Sequence, residues 1–124
     1  MSLVSRNLGI SGESHAVNYL QKKGYMIRAR NERTKFGEID IIAERNHKIV
    51  FIEVKTRSSL EKGKPYESVT YGKQKRLLRA AQYYILKNRL SAYKLSIGVI
   101  SIIGNSSGKK NTIDFFEDIG SYDL

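Results

Sequence analysis

Gly37-Glu38-Ile39-Asp40-Ile41-Ile42-Ala43 and, after a short interruption, Phe51-Ile52-Glu53-Val54-Lys55-Thr56-Arg57 decide the fold. Both segments are rich in β-branched and apolar residues and alternate in polarity, so both read as strands. Between them Glu44-Arg45-Asn46-His47-Lys48 is a polar run suited to a hairpin turn. A turn centred on Asn46-His47 sets Asp40 opposite Glu53 and Glu38 opposite Lys55. Side chains alternate across a strand, so Glu38, Asp40, Glu53 and Lys55 emerge on one face, shared with Ile42 and Phe51. The other face carries Ile39, Ile41, Ala43, Val50, Ile52 and Val54, an apolar surface that suits a helix.

Opposed residues have Cβ atoms about 5 Å apart, and like charges there are unfavourable. At an effective dielectric of about 20 the Asp40–Glu53 repulsion is about 3 kcal/mol. Two readings relieve it. In the first, a divalent cation sits between the carboxylates, since two carboxylates and a substrate phosphate are a usual way of holding Mg²⁺. In the second, the hairpin is an ordinary amphipathic one with its polar side in water. Glu38 and Lys55 then form a cross-strand ion pair, and Lys55 softens the repulsion.

Asp40 followed by Glu53-Val54-Lys55 resembles the PD-(D/E)xK nuclease signature, with Ile39 where that signature has proline. A wider set of segments resembles the YraN-like family of predicted endonucleases, related to archaeal Holliday-junction resolvases. These are Gly12-Glu13 with Ala16 and Tyr19-Leu20, Lys23-Gly24-Tyr25, Asn31-Glu32-Arg33, Gly37-Glu38-Ile39-Asp40, Val50 through Arg57, and Lys73-Gln74 with Ala80-Ala81. Together they span about residues 9–102. The resemblance implies a restriction-endonuclease-like α/β fold and metal-dependent cleavage of DNA. It implies Mg²⁺ or Mn²⁺ held by Asp40, Glu53 and the Val54 carbonyl, with Glu13 of the first helix pointing into the site. Relatives often carry an aspartate where Ser96 stands here, a position we read as structural.

The 124 residues read as one domain, residues 1–124, with 40% hydrophobic residues for a modest core. Cysteine is absent, which excludes disulfides and Cys-ligated zinc and fits a reducing compartment. No segment resembles a signal peptide, and none approaches the roughly 20 apolar residues of a membrane span. The expectation is a soluble, cytoplasmic protein without membrane attachment. The formal net charge of +10 favours a polyanionic partner, DNA over RNA by the resemblance.

Along the chain, residues 11–23 read as a helix capped by Ser11, with Glu13 in its first turn and Gly24 at its end. Residues 25–30 read as a strand and 31–36 as a turn. Arg28, Arg30, Arg33 and Lys35 make a basic cluster that either reaches phosphates or is a solvated edge. Residues 58–67, with the sole proline, Pro65, are a loop rimming the site. The longest helix spans residues 68–89, with Leu78, Ala81 and Ile85 as an apolar stripe broadened by Leu77 and Tyr84. From Lys73 to Lys94 there is no acidic residue, whereas a solvated helix face normally mixes signs. Lys75, Arg76 and Arg79 are therefore expected to contact phosphates; the resemblance implies that Lys73 and Gln74 sit nearest the hairpin, and they and Arg57 of the matching hairpin segment complete the expected nucleic-acid contacts. Tyr71, Tyr83 and Tyr84 lie among these basic residues, where aromatics can stack on unpaired bases, but at helical spacing such residues are more often core with a hydroxyl at the edge. Residues 95–103 and 111–116 read as strands, and the charges after Lys110 are all acidic.

The expected architecture is α-β-β-β-α-β-β, a mixed sheet with a helix on each face. Two functions fit. One is an Mg²⁺- or Mn²⁺-dependent endonuclease acting on structured DNA. Asp40, Glu53, Lys55 and Glu13 are its catalytic residues, and Glu38 partners Lys55. By analogy with junction-cutting relatives it is a homodimer. The other is a non-catalytic nucleic-acid-binding module on the same scaffold.

Overall fold

The hairpin turns where its chemistry demands. Asn46 and His47 both have positive φ, 52° and 63°. That is the conformation of a two-residue turn whose twist matches its flanking strands. The turn joins β2 (Gly37–Arg45) to β3 (Lys48–Ser58), closed by the pair Arg45↔Lys48. The computed structural model describes residues 3–58, 70–104 and 112–119. The loop expected at 58–67 lies outside the described residues, except that Ser58 ends β3.

The element order is α1 (Leu3–Lys22), β1 (Met26–Thr34), β2, β3, α2 (Tyr71–Lys87), β4 (Lys94–Gly104), β5 (Thr112–Phe116). This is the expected α-β-β-β-α-β-β. The five strands form one sheet in sequential order. Its pairings are antiparallel except β3 with β4, which run parallel. A parallel neighbour requires a crossover, and α2 supplies it. Residues 96–102 of β4 are buried throughout, as befits a central parallel strand covered on both faces.

Two apolar clusters flank the sheet. Leu77, Ala80, Ala81, Tyr84 and Ile85 of α2 pack on Ile42, Ile49, Phe51 and Ile97. On the opposite face Ala16 and Leu20 of α1 pack on Ile41, Ala43, Val50, Ile52 and Ile100. The stripe on α2 is turned slightly from expectation: Ala80 is buried, while Leu78 is only partly so.

Several boundaries differ from the sequence reading, the start of α2 at Tyr71 in place of residue 68 among them. Ser11 lies inside α1, not at its cap, and Glu13 is not in its first turn. Residues 3–10 contain no proline, so a helix nucleated by packing at Ala16 and Leu20 propagates back to Leu3. Residues 31–34 belong to β1 instead of a turn: the ladder with β2 keeps one register from Ala29↔Ile42 to Thr34↔Gly37, and Asn31 within it has a φ of 51° that asparagine tolerates. The tight turn is only Lys35-Phe36, where the Thr34 hydroxyl donates to the Gly37 carbonyl (2.8 Å) and accepts from the Phe36 N–H (3.1 Å). Finally, α2 ends at Lys87, two residues early. Asn88 caps it, and Arg89 follows with a φ of 55°.

Ser96, buried, donates to the Glu117 carbonyl at 2.7 Å and ties the chain beyond β5 to β4. At the hairpin end of β3 Lys48 pairs with Glu117. That ammonium holds the Glu117 carboxyl below its usual range. Burial, reinforced by a hydrogen bond with Glu117, pushes the Tyr25 hydroxyl up to about 12. Among the described residues no helix is long and apolar enough to cross a membrane.

Candidate active site

In a two-residue hairpin closed by Arg45↔Lys48, hydrogen-bonded pairs recur at every second position: Ala43↔Val50, Ile41↔Ile52, then Ile39↔Val54. The ladder is intact as far as Ile41↔Ile52 and stops there. The Val54 N–H donates instead to Asp40 Oδ2 at 2.8 Å. Asp40 therefore lies in the opening between two diverging strands. The side-chain alternation of β2 breaks at the same residue. Ile39 joins Ile42 beneath α2, whereas Ile41 and Ala43 pack beneath α1. In a regular strand residues 39, 41 and 43 share a face.

This corrects the expected pairing. Asp40 and Glu53 are not ladder partners, and Glu38 is not opposite Lys55. Glu38 instead pairs with Arg33 of β1, whose ladder with β2 continues to Thr34↔Gly37, and the two charges stand 3.6 Å apart. The ammonium of Lys55 finds Glu53 of its own strand, at 3.4 Å. Strand alternation puts Glu53 and Lys55 on one face.

The remaining acids still converge electrostatically on Asp40. Burial raises its carboxyl from 3.8 to about 6; Glu53, Glu13 and Glu38 push in the same direction, and the Val54 N–H opposes them. Glu13 reaches this neighbourhood because Gly12 lets α1 approach β3 closely. A Cβ at Gly12 would overlap the Thr56 methyl. Arg30 stands 4.0 Å from Glu13.

The first turn of α2 opens beside the same face. Thr70 caps it by accepting from the Lys73 N–H at 3.2 Å. The Lys55 ammonium, as neighbouring charge and as hydrogen-bond partner, lowers the pKa of Lys73. Arg76 lies over Gly37, whose φ of 125° excludes other residues and whose missing Cβ would stand 3.3 Å from the guanidinium stem. Lys75 and Arg79 are exposed. Gln74 is half-buried on the same turn, and Arg57, also half-buried, sits on β3 beside Ile103.

The basic cluster of β1 is engaged internally. Arg28 pairs with Glu44 (2.7 Å), Arg30 with Glu13, and Arg33 with Glu38. The Lys35 ammonium stands 5.4 Å from both the Phe36 and the Tyr83 ring centroids. Its reading as a structural edge is the better supported one.

Among the described residues no three His, Cys, Asp or Glu side chains form a ready metal-binding group. The donor chemistry nevertheless fits a hard divalent cation, which takes one or two protein carboxylates and completes its shell with water and phosphate. Asp40 is a half-buried carboxylate raised chiefly by burial and further by its acidic neighbours, Glu53 among them, and a cation would offset both. The Val54 carbonyl leaves its strand on the same edge as the N–H that Asp40 accepts.

Residues 12–102 match the model of the family described as "Uncharacterised protein family UPF0102". A UPF0102 protein of Chlorobium phaeobacteroides is 44% identical over 124 residues, covering 100% of this chain and 92% of its own. One from Lachnoclostridium phytofermentans is 51% identical over 82 residues, 66% of this chain and 70% of its own. One from Clostridium perfringens is 40% identical over 118 residues, 95% and 97% of the two chains.

Proposed function

The chain belongs to the UPF0102 family, and we propose that it is a metal-dependent endonuclease hydrolysing phosphodiester bonds in structured DNA, on a restriction-endonuclease-like PD-(D/E)xK scaffold. The observation that carries the reading is Asp40. A carboxylate placed where two strands part, anchored by one backbone N–H and raised by burial and then by three other acids, is costly to keep in a chain that needs only to fold. A pure binder gains nothing by aiming carboxylates at a polyanion.

Asp40, Glu53 and the Val54 carbonyl would hold Mg²⁺ or Mn²⁺, which when bound neutralises phosphate charge and acidifies water. The hydrogen bond from Val54 fixes one oxygen of Asp40 and orients the carboxylate. Lys55, set by Glu53, donates to the attacking water or to the phosphoryl oxygen that gains charge in the transition state. Lys73, crowded by Lys55, adds positive potential where that charge develops. Lys75 and Arg79 hold the phosphate backbone without reading sequence. By analogy with junction-cutting relatives the active form is a homodimer.

A non-catalytic nucleic-acid-binding module has one observation in its favour. Glu13, Glu38 and Glu53 each already have a cationic partner, as structural acids do. One panel separates the two readings: purified protein, Mn²⁺ or Mg²⁺, and labelled single-stranded, duplex, flap and four-way DNA. The expected result is metal-dependent cleavage that Asp40→Asn and Lys55→Ala each reduce at least about a hundredfold with binding kept. Undiminished metal-dependent cleavage by Asp40→Asn overturns the assignment.

A further inference from the structure

The three tyrosines of α2 have different surroundings. Tyr84 is buried and meets the Phe51 ring edge-on at 5.8 Å. Tyr83 is half-buried, edge-on to Phe36 at 6.2 Å. Tyr71, the first residue of the helix, is 73% exposed. Among the described residues its ring contact is the Lys75 ammonium, 5.0 Å from the centroid.

A bare ring at this place is informative. The first turns of α2 border the proposed site: Arg76 lies over Gly37 at the start of β2, and the Lys55 ammonium acts on Lys73. Lys75 stands against the ring, Lys73 and Arg76 belong to the same two turns of the helix, and no acidic residue occurs between Tyr71 and Lys94. A contact between two copies of the chain is disfavoured here, because it would bring like-charged clusters together and interface cores are depleted in lysine. A cationic rim suits a nucleic-acid strand, and on such a rim an exposed aromatic offers a stacking surface for a base. Among the described residues Lys75 stands over one face of the ring and none is recorded against the other. In an intact duplex the base faces are already stacked, so only an unpaired nucleotide can use it.

We propose that Tyr71 is a stacking platform for an unpaired nucleotide beside the cleaved phosphate. The substrates are then DNAs with a single-stranded stretch, such as flaps, gaps or frayed ends, in preference to intact duplex. The inference rests on the reading that α2 faces nucleic acid.

The chain contains no tryptophan, so Tyr71→Trp places a single reporter at the platform. The full-length variant is titrated, with chelator in place of divalent metal, against a short oligothymidylate and a blunt-ended duplex of two fully complementary strands. Emission is expected to be quenched by the single strand and little changed by the duplex. Tyr71→Ala should lose about tenfold in affinity for the single strand and less than about twofold for the duplex, while Tyr71→Phe binds as wild type. Equal losses on both DNAs, or single-strand binding without quenching, overturn the platform. So does Trp emission that changes with protein concentration in the absence of DNA, which would mark a self-association surface. Failure to bind either DNA overturns the parent reading and this one together. Quenching in a protein that never cleaves overturns the nuclease alone.

Discussion

Asp40 carries the most consequential chemistry at the scale of single residues. Its folded carboxyl holds a proton more tightly than it does unfolded, about 6 against 3.8, chiefly through burial. A group raised in this way favours the folded state while protonated and disfavours it once ionised. Its contribution to stability therefore falls as pH climbs through the interval between the two values. Asp40→Asn keeps an acceptor for the Val54 N–H and removes the buried charge. Above about pH 7 the variant should be more stable than wild type by up to about 3 kcal/mol, and below about pH 4 the gain should vanish. Thermal unfolding across that range, without divalent metal, measures it, and a variant less stable at neutral pH contradicts the account. Mn²⁺ should raise the melting temperature of wild type and leave that of the variant unchanged.

At the scale of elements, the site depends on how closely α1 and α2 approach β2 and β3. Two glycines make opposite predictions. Gly12 lies against Thr56 and Ile102, so Gly12→Ala pushes α1 off the sheet and moves Glu13. We expect a loss of about 1–3 kcal/mol despite alanine's better helix propensity. Among the described residues a Cβ at Gly72, in the first turn of α2, meets nothing nearer than the Thr70 hydroxyl at 4.0 Å. Gly72→Ala should therefore gain about 0.5–1 kcal/mol. Denaturant melts of the two variants check both signs at once. The hairpin was readable because turn type and alternation are local. The break at Asp40 was not, because nothing in Gly37–Arg45 says that its ladder with β3 ends after Ile41↔Ile52. For the same reason the partner of Glu38 turned out to be Arg33 and not Lys55.

For the whole molecule, charge is the governing quantity. A net charge of +10 is unevenly spread: α2 carries cations without acids, whereas the cations of β1 are matched by Glu44, Glu13 and Glu38. The helix, not the β1 edge, should therefore dominate the salt dependence of DNA binding. Each phosphate contact removed lowers the slope of log K against log salt by about 0.9 on duplex. Lys75→Ala with Arg79→Ala should flatten it by about 2, and Lys22→Ala, on the helix across the sheet, should leave it unchanged. Fluorescence anisotropy at several salt concentrations reads the slope, and an equal effect of Lys22→Ala would refute the assignment.

The amino-acid sequence by itself determined the element order, the turn at Asn46-His47 and the apolar faces of both helices. Each of these follows from periodicity, turn chemistry or spacing within a few dozen residues. Only the tertiary structure decided where β2 leaves β3, that Asp40 accepts from Val54, that Lys55 meets Glu53 and Lys73, and that Tyr71 alone of its helix's tyrosines stands open. Those outcomes depend on which surfaces α1 and α2 cover, and packing between segments distant in the chain leaves no periodic trace in either one.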